Sequence, residues 1–156
     1  MHFPLLASND GVSLERLDVN TTATNVKNWH SASSIIGFGS PTYKNSQHTS
    51  PISGGGLVVS PKSFSPNNDG QEDFCNINWS FNEHDLMGTI KVFDSEGRVV
   101  NNLLNNKLIG PSGWTVWDGT SEDNERLNSG IYIVWMQVFT LDGSVMQFKK
   151  VVVLTR

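Results

Sequence analysis

The chain has 156 residues and a formal net charge of −4 at pH 7. That charge disfavours a nucleic-acid partner, because a phosphate backbone is bound by clustered lysine and arginine residues. Charged residues make up 17% of the chain and hydrophobic residues 37%, a balance more typical of an extracellular β protein than of a helical cytosolic one. The single cysteine, Cys75, excludes an intramolecular disulfide framework, and no apolar run approaches the roughly 20 residues that span a bilayer.

Residues 1–50 are rich in serine, threonine and asparagine and contain one clear strand candidate, "VSLERLDV" at residues 12–19. Neither alternating face of this strand is cleanly apolar. The first eleven residues lack the regions of a signal peptide, and we interpret them as a start within a longer chain. The stretch "SPISGGG" at residues 50–56 has the composition of a linker. We therefore predict a linker at residues 51–56, between an N-terminal segment (1–50) and a domain (57–156).

Short apolar runs separated by turn residues follow the linker, at the spacing of an antiparallel sandwich. We predict strands at residues 56–61, 74–81, 88–94, 98–104, 114–119, 130–140 and 144–154. No stretch keeps a 3.6-residue period, so helices should be nearly absent. The predicted fold is all-β: an immunoglobulin-like antiparallel β-sandwich of about seven strands, with a partial β segment at the N-terminus.

The strand patterns predict several details of this sandwich. Alternation in "FCNINWSF" places Cys75 on the apolar face, which favours a small buried hydrophobe over a nucleophile. Both faces of "GIYIVWMQVF" are apolar, so this strand should be central and covered on both sides. The sequences "DSEG" (94–97) and "LDGS" (141–144) predict hairpin turns, the second of type I′ because of its Asp-Gly pair.

A second group of residues predicts structural roles around the sequence "WDG". Trp117 is large enough to fill the core, and Asp118 with Gly119 favours a tight turn after it. Gly130 suits a chain reversal at positive φ. Tyr132 can bury its ring while its hydroxyl reaches a backbone partner, as in a tyrosine corner.

The stretch "FSPNNDGQEDF", residues 64–74, leaves two interpretations open. Oxygen-bearing side chains recur at alternate positions with Gly70 at the bend, which resembles a calcium loop. The candidate ligands are Ser65, Asn67, Asp69, Gln71 and Asp73. This set is incomplete, because Ser65 replaces the usual aspartate and Asn76 stands where a bidentate glutamate should be, so calcium would bind weakly. The alternative is a turn whose side chains bond their own backbone.

No catalytic motif stands out in the chain. The four histidines show no paired spacing for zinc, "EHD" at residues 83–85 is best interpreted as an exposed loop, and small sandwiches rarely offer the cleft that a carboxylate pair needs to cleave a glycoside. Of the tryptophans, Trp79, Trp117 and Trp135 lie on strand patterns and should be in the core. Trp29 and Trp114 remain as candidates for a sugar-stacking platform.

The last strand, "MQFKKVVVLTR", carries its apolar side chains on one face. This face comprises Met146, Phe148, Val152 and Leu154. It should pack against the strand that contains "IYIVWMQV". Lys149 should face solvent and protect a sticky edge, while Lys150 snorkels from the inner-face register.

Four motifs in order resemble the immunoglobulin-like module of the flagellar hook-capping protein family, in the form found at the C-termini of secreted Bacteroidetes proteins. They are "FSPNNDG", "IKVFDSEGRVV", "WDG" and "SGIY". Upstream, "SLER", "NWHSA" and "GSPTYKN" resemble the closing part of a lamin-tail domain, which is itself a small β-sandwich. The first resemblance covers residues 57–156 and the second covers residues 1–50.

The resemblance implies a non-catalytic module of a larger secreted or cell-surface bacterial protein. In that family the terminal strand and its basic last residues belong to a sorting domain read by the type IX secretion machinery, which leads to surface attachment. The alternative is a ligand-binding accessory domain, for glycans or adhesion, that serves an extracellular enzyme encoded upstream. The implied partners are upstream domains of the same polypeptide and either the secretion machinery or a surface glycan. Calcium is the one candidate cofactor.

Overall fold

The structure is a computed structural model that describes residues 2–42, 45–47 and 55–156. In these residues the chain forms ten strands and two short 3₁₀ helices, Val26–Asn28 and Ser34–Ile36. The strands are β1 (Leu14–Arg16), β2 (Trp29–Ser31), β3 (Gly56–Ser60), β4 (Ser63–Phe64), β5 (Cys75–Ser80), β6 (Leu86–Phe93), β7 (Val99–Ile109), β8 (Ser112–Trp117), β9 (Gly130–Phe139) and β10 (Val145–Leu154). The predicted all-β class is confirmed. None of the described helices is long and apolar enough to cross a membrane.

Two sheets pack face to face to form the sandwich. One has five strands in the order β4-β10-β9-β6-β7, and the other has three in the order β3-β5-β8. All pairs are antiparallel except β4 with β10. The seven predicted strands are present, and the two-residue β4 is the strand of the sandwich that the sequence pattern missed. The predicted immunoglobulin-like sandwich is confirmed.

Alternation along β5 directs every second side chain into the core. Cys75, Ile77 and Trp79 are 0%, 0% and 3% exposed, while the residues between them face solvent. Burial raises the pKa of the Cys75 thiol to about 12. A thiol that stays protonated is a poor nucleophile, so the prediction of a small buried hydrophobe is confirmed.

The prediction for β9 is half correct. The strand is central, between β6 and β10, but it is not covered on both sides. Its inner face is buried, whereas Ile131 on the outer face is 56% exposed. Trp135 is also on the outer face, half-buried against Phe93 with 6.3 Å between ring centroids, so its predicted core position is wrong. Only one face of the five-stranded sheet packs on the other sheet, and the opposite face is the outside of the sandwich.

The hairpin turns occur where predicted, with one difference in type. Thr140 and Ser144 are joined by a hydrogen bond from Thr140 N to Ser144 O, and Gly143 N donates to Thr140 O. Gly143 has φ +89° whereas Asp142 is not in the positive-φ region, so the predicted type I′ turn is wrong. A three-residue loop, a type I turn closed by a glycine bulge, needs only one positive φ. The β6–β7 turn has the same geometry around Gly97.

The N-terminal segment forms its own two-stranded sheet, in which β1 pairs antiparallel with β2. The strand candidate at residues 12–19 therefore pairs locally. Phe3 from this segment is buried with Met87 and Leu108 of the sandwich, and Ser34 Oγ donates to Leu108 O at 2.6 Å. The described part of the segment thus packs onto the sandwich. Most of the predicted linker, residues 51–54, lies outside the described residues, and Gly56 already belongs to β3.

Candidate functional site

The residues of "WDG" form a packed corner at the end of the sandwich. Trp117 is 1% exposed, and its ring meets Phe64 and Tyr132 edge-on at 5.3 Å and 5.2 Å between centroids. Its Nε1 donates to Thr120 O at 2.9 Å. The buried indole is therefore satisfied as well as packed, which is a structural role.

The turn after Trp117 is closed by Asp118, whose Oδ1 accepts from the Thr120 amide at 3.1 Å and from the Thr120 hydroxyl at 2.7 Å. Gly119 has φ +77°, and a Cβ there would lie 2.8 Å from Leu154 Cδ1. Glycine is required at this position for both backbone conformation and space. The turn therefore packs closely against Leu154 of the last strand.

Tyr132 donates its hydroxyl to Asn128 O at 2.7 Å while its ring is buried. This hydrogen bond connects β9, whose first residue is Gly130, to the chain just before the strand. Gly130 does not have a positive φ, so that prediction is wrong. It is in the extended conformation and pairs with Leu154 across the sheet, where other residues also fit.

The loop at residues 64–74 is held by hydrogen bonds to its own backbone. Asp73 is 9% exposed, and its two carboxylate oxygens accept from the amides of Asn68 at 2.7 Å and Gly70 at 2.9 Å. Asp69 accepts from the Gln71 amide at 2.8 Å and from the Asn67 side chain at 2.9 Å. The hydrogen bonds from Asn67 and Gln71 lower the pKa of Asp69.

These contacts are those of the turn interpretation. Asp69 and Asp73 hold separate parts of the loop, and Ser65 contributes its amide, which donates to Glu72 O at 2.9 Å. Among the described residues, no three histidine, cysteine or acidic side chains are grouped as metal ligands. The calcium site formed by Ser65, Asn67, Asp69, Gln71 and Asp73 stays a prediction.

The last strand has one anchored face and one open edge. Val152 and Leu154 are 0% exposed, and Phe148 packs on Phe81 with 5.5 Å between ring centroids. Lys149 and Lys150 are both exposed. Lys150 borders an open groove. Its side chain therefore lies at the rim of the inner face and not within the core.

The two tryptophans of the expected platform lie on different sheets. Trp29 is on β2, where its Nε1 donates to Ala23 O at 2.9 Å and Arg16 lies over its ring at 5.8 Å. Trp114 is on β8 and is 63% exposed. The ring of Trp29 is engaged by its own segment, so the structure gives no support to a joint platform, and Trp114 remains as an exposed aromatic residue.

A histidine pair at the junction of the two parts was missed by sequence reasoning. His30 Nδ1 lies 2.7 Å from Asp85 Oδ2, with the two side chains 18% and 21% exposed. The rings of His30 and His84 are 5.4 Å apart. The interpretation of residues 83–85 as an exposed loop is therefore wrong for His84 and Asp85, because β2 covers them. No spacing signal could have found a pair of histidines 54 positions apart (84 minus 30) in sequence.

A family model described as the CHU_C type IX secretion signal domain matches residues 58–153. The match begins in β3 and ends in β10, so it spans both sheets of the sandwich. The chain belongs to this family. Residues 58–153 are thus a type IX secretion signal domain, which is a sorting module rather than a catalytic one. A search of the curated proteins found no match.

The solved structures that the comparison found share little sequence with this signal domain. FlgD from P. aeruginosa is 19% identical, with a TM-score of 0.44, 64% of this chain covered and 74% of that chain. Dimeric latent PorU from Porphyromonas gingivalis is 20% identical, with a TM-score of 0.48, 69% of this chain covered and 10% of that chain. PorZ, described as an essential bacterial surface component of the type IX secretion system of the same organism, is 18% identical, with a TM-score of 0.38, 65% of this chain covered and 12% of that chain.

Proposed function

We propose that this signal domain directs a larger polypeptide through the type IX secretion route and holds it at the cell surface, and that the open edge of β10 is the element read by the secretion machinery. The observation that carries the proposal is the family match, which extends through β10 to residue 153. The cargo is the upstream part of the same polypeptide.

The position of β10 in the sheet makes it suitable for recognition. One side of the strand pairs with β9 along its whole length. Among the described strands, β4 pairs with the other side only at Val153 and Leu154. The edge at residues 145–152 thus offers backbone groups on which another chain can add as a strand.

The outward side chains of β10 provide features beside this edge that a specific partner can recognise. Val145 and Val151 are 56% and 58% exposed, and Lys149 is exposed between them. Lysine on an edge strand prevents unspecific pairing, while it supplies a charge that a specific partner can bind. A single strand therefore serves both folding, through its buried face, and recognition, through its edge.

The test must separate export from folding. Deleting residues 151–156 removes the buried Val152 and Leu154, so loss of export would not distinguish the two. The double substitution Lys149→Ala with Arg156→Ala changes only exposed side chains. Its free energy of unfolding should therefore lie within about 0.5 kcal/mol of that of the parent.

Export is measured as the fraction of a reporter found outside the cell when it is fused upstream of the whole chain, in a host that uses the type IX route. We expect the double variant to be exported several-fold less than the parent. Lys107→Ala, an exposed lysine on β7, is the matched control and should be exported normally. Normal export of the double variant would show that these charges are not part of the signal.

The lamin-tail resemblance of residues 1–50 belongs to the same proposal. It is supported by a short antiparallel pair, β1 with β2, and by the buried Glu15, which accepts hydrogen bonds from the amide and hydroxyl of Ser46 at 2.9 Å and 2.6 Å. We propose that this segment is the closing part of a lamin-tail-like domain, placed between the cargo and the signal domain.

A further inference from the structure

The outer face of the three-stranded sheet has an unusual side-chain composition. The pairing of β3, β5 and β8 aligns the outward side chains in two rows across the sheet. The first row is Val58, Asn78 and Trp114, and the second is Ser60, Asn76 and Val116. Phe74, just before β5, lies on the same side as Asn76 by the alternation of the strand. We call these seven residues the Trp114 face.

Large apolar side chains are concentrated on the Trp114 face and are open to solvent. Trp114 is 63% exposed, Val58 60%, Phe74 52% and Val116 39%. Contiguous exposed apolar groups on a soluble domain usually mark a binding site, whereas single ones do not. Val58, Asn78 and Trp114 also line an open groove that is bordered by Ile36 and Lys150.

The polar groups of this face restrict the chemistry of its ligand. The polar side chains of both rows are serine and asparagine, and neither row contains a charged residue. Binding of a nucleic acid or another polyanion would require clustered cations. An asparagine amide both donates and accepts, which matches the hydroxyl groups of a sugar.

The size of the face favours a small ligand over a second protein. Three strands about 4.8 Å apart span roughly 10 Å, and the four steps from Phe74 to Asn78 span roughly 13 Å. A stable protein interface buries about 800 Å² on each partner. The face is much smaller than that, and its mixture of an apolar surface with a few placed polar groups is typical of small-molecule sites.

We infer that the Trp114 face binds an uncharged oligosaccharide. The indole of Trp114 stacks on the apolar face of a pyranose ring, and the amides of Asn78 and Asn76 bond its hydroxyl groups. This activity is separate from export, since none of the seven residues of the Trp114 face lies on β10, and Lys150 of β10 only borders the groove beside it. It would hold the signal domain, with its cargo, against neutral glycans outside the cell.

The test is a titration of the whole chain with cellohexaose, laminarihexaose and mannohexaose, followed by calorimetry and tryptophan fluorescence. We expect millimolar or tighter binding of at least one of them, weakened at least tenfold in Trp114→Ala and severalfold in Asn78→Ala. Ile131→Ala is the matched control, because Ile131 is 56% exposed on the opposite sheet and should leave affinity unchanged. Circular dichroism checks that each variant is folded.

Three results would overturn the inference. The first is an absence of binding of all three sugars at 10 mM or above. The second is binding that Trp114→Ala leaves intact. The third is a concentration-dependent dimer that Trp114→Ala abolishes, because the face would then bind a second copy of the chain. Each of these outcomes leaves the export proposal to be decided by its own experiment.

Discussion

His30 and Asp85 form an ion pair of 2.7 Å that joins β2 to the loop between β5 and β6. The hydrogen bond that His30 donates to the Asp85 carboxylate raises the pKa of His30, against the opposing effect of burial. Burial lowers the pKa of His84, and its neighbour His30 lowers it further. The carbonyl of Lys27 also raises the pKa of His30, and the charges of Asp85 and Glu83 raise that of His84. The junction between the N-terminal segment and the sandwich therefore contains two histidines whose pKa values are shifted in opposite directions, upward for His30 and downward for His84.

Replacing Asp85 should lower the free energy of unfolding more at acidic pH than at alkaline pH. A raised pKa means that protonated His30 stabilises the folded state below the ordinary histidine value of 6.5, and that this contribution is lost as the pH rises through the raised pKa. Asp85→Asn should therefore lower the free energy of unfolding by up to about 1 kcal/mol at pH 5, and by less at pH 9. Urea unfolding at both pH values measures this. An equal loss at both would contradict the assignment, and Asp10→Asn, an exposed aspartate, is the control.

The sandwich should fold without the N-terminal segment, but with lower stability. Its main core is built from residues of β3 to β10 and their loops, and of the described residues of the segment only Ile35 packs against it. A chain that begins at Gly56 should therefore unfold cooperatively. Its melting temperature should be lower than that of the whole chain, because Met87 and Leu108 lose the cover of Phe3. Calorimetry of the two chains tests this, and a shortened chain without a cooperative transition would place the boundary elsewhere.

The loop at residues 64–74 provides a test of calcium against the plain turn. Asp73→Ala leaves the amides of Asn68 and Gly70 without their acceptor and should lower the free energy of unfolding by about 1–3 kcal/mol. The turn interpretation predicts equal melting temperatures with excess calcium and with a chelator. A higher melting temperature in calcium, abolished by Asp69→Ala with Asp73→Ala, would instead establish the metal site.

The corner beside Trp117 should depend on packing more than on its hydrogen bonds. Tyr132→Phe removes only the bond to Asn128 O, which should lower the free energy of unfolding by about 1 kcal/mol. Trp117→Ala empties the space between Phe64 and Tyr132 and should lower it by about 3–5 kcal/mol. Denaturant unfolding of both variants gives the comparison, and losses of equal size would contradict this division.

The sequence predicted the strands of the sandwich well because each has a period-two pattern that a half-buried strand requires. It could not assign Trp135, because a strand with two apolar faces does not show which one meets the other sheet. Gly130 was assigned a positive φ from its position before a strand, whereas Gly119 is the glycine of this corner with that conformation. The local sequence pattern thus predicts the alternation of a strand well, but it predicts the backbone geometry of a single turn less well.

The contacts between the N-terminal segment and the sandwich could not be predicted. Phe3 meets Leu108 and Ser34 bonds the same residue, although neither lies in a periodic pattern that points to a partner. The exposed Trp114 was singled out by its surroundings, but its row with Val58 and Asn78 depends on strand register. Register is fixed by pairing between distant strands, and a single sequence does not contain it in readable form.

The most direct measurement of the central claim is the export of a reporter protein fused upstream of the whole chain. It is made in a bacterium that uses the type IX route and in the same strain without a working type IX translocon. We expect the reporter on the cell surface or in the medium of the first strain and retained inside the second. The reporter without the chain should be retained in both. Equal export from the two strains, or retention in both, would contradict the assignment of this chain as a type IX secretion signal.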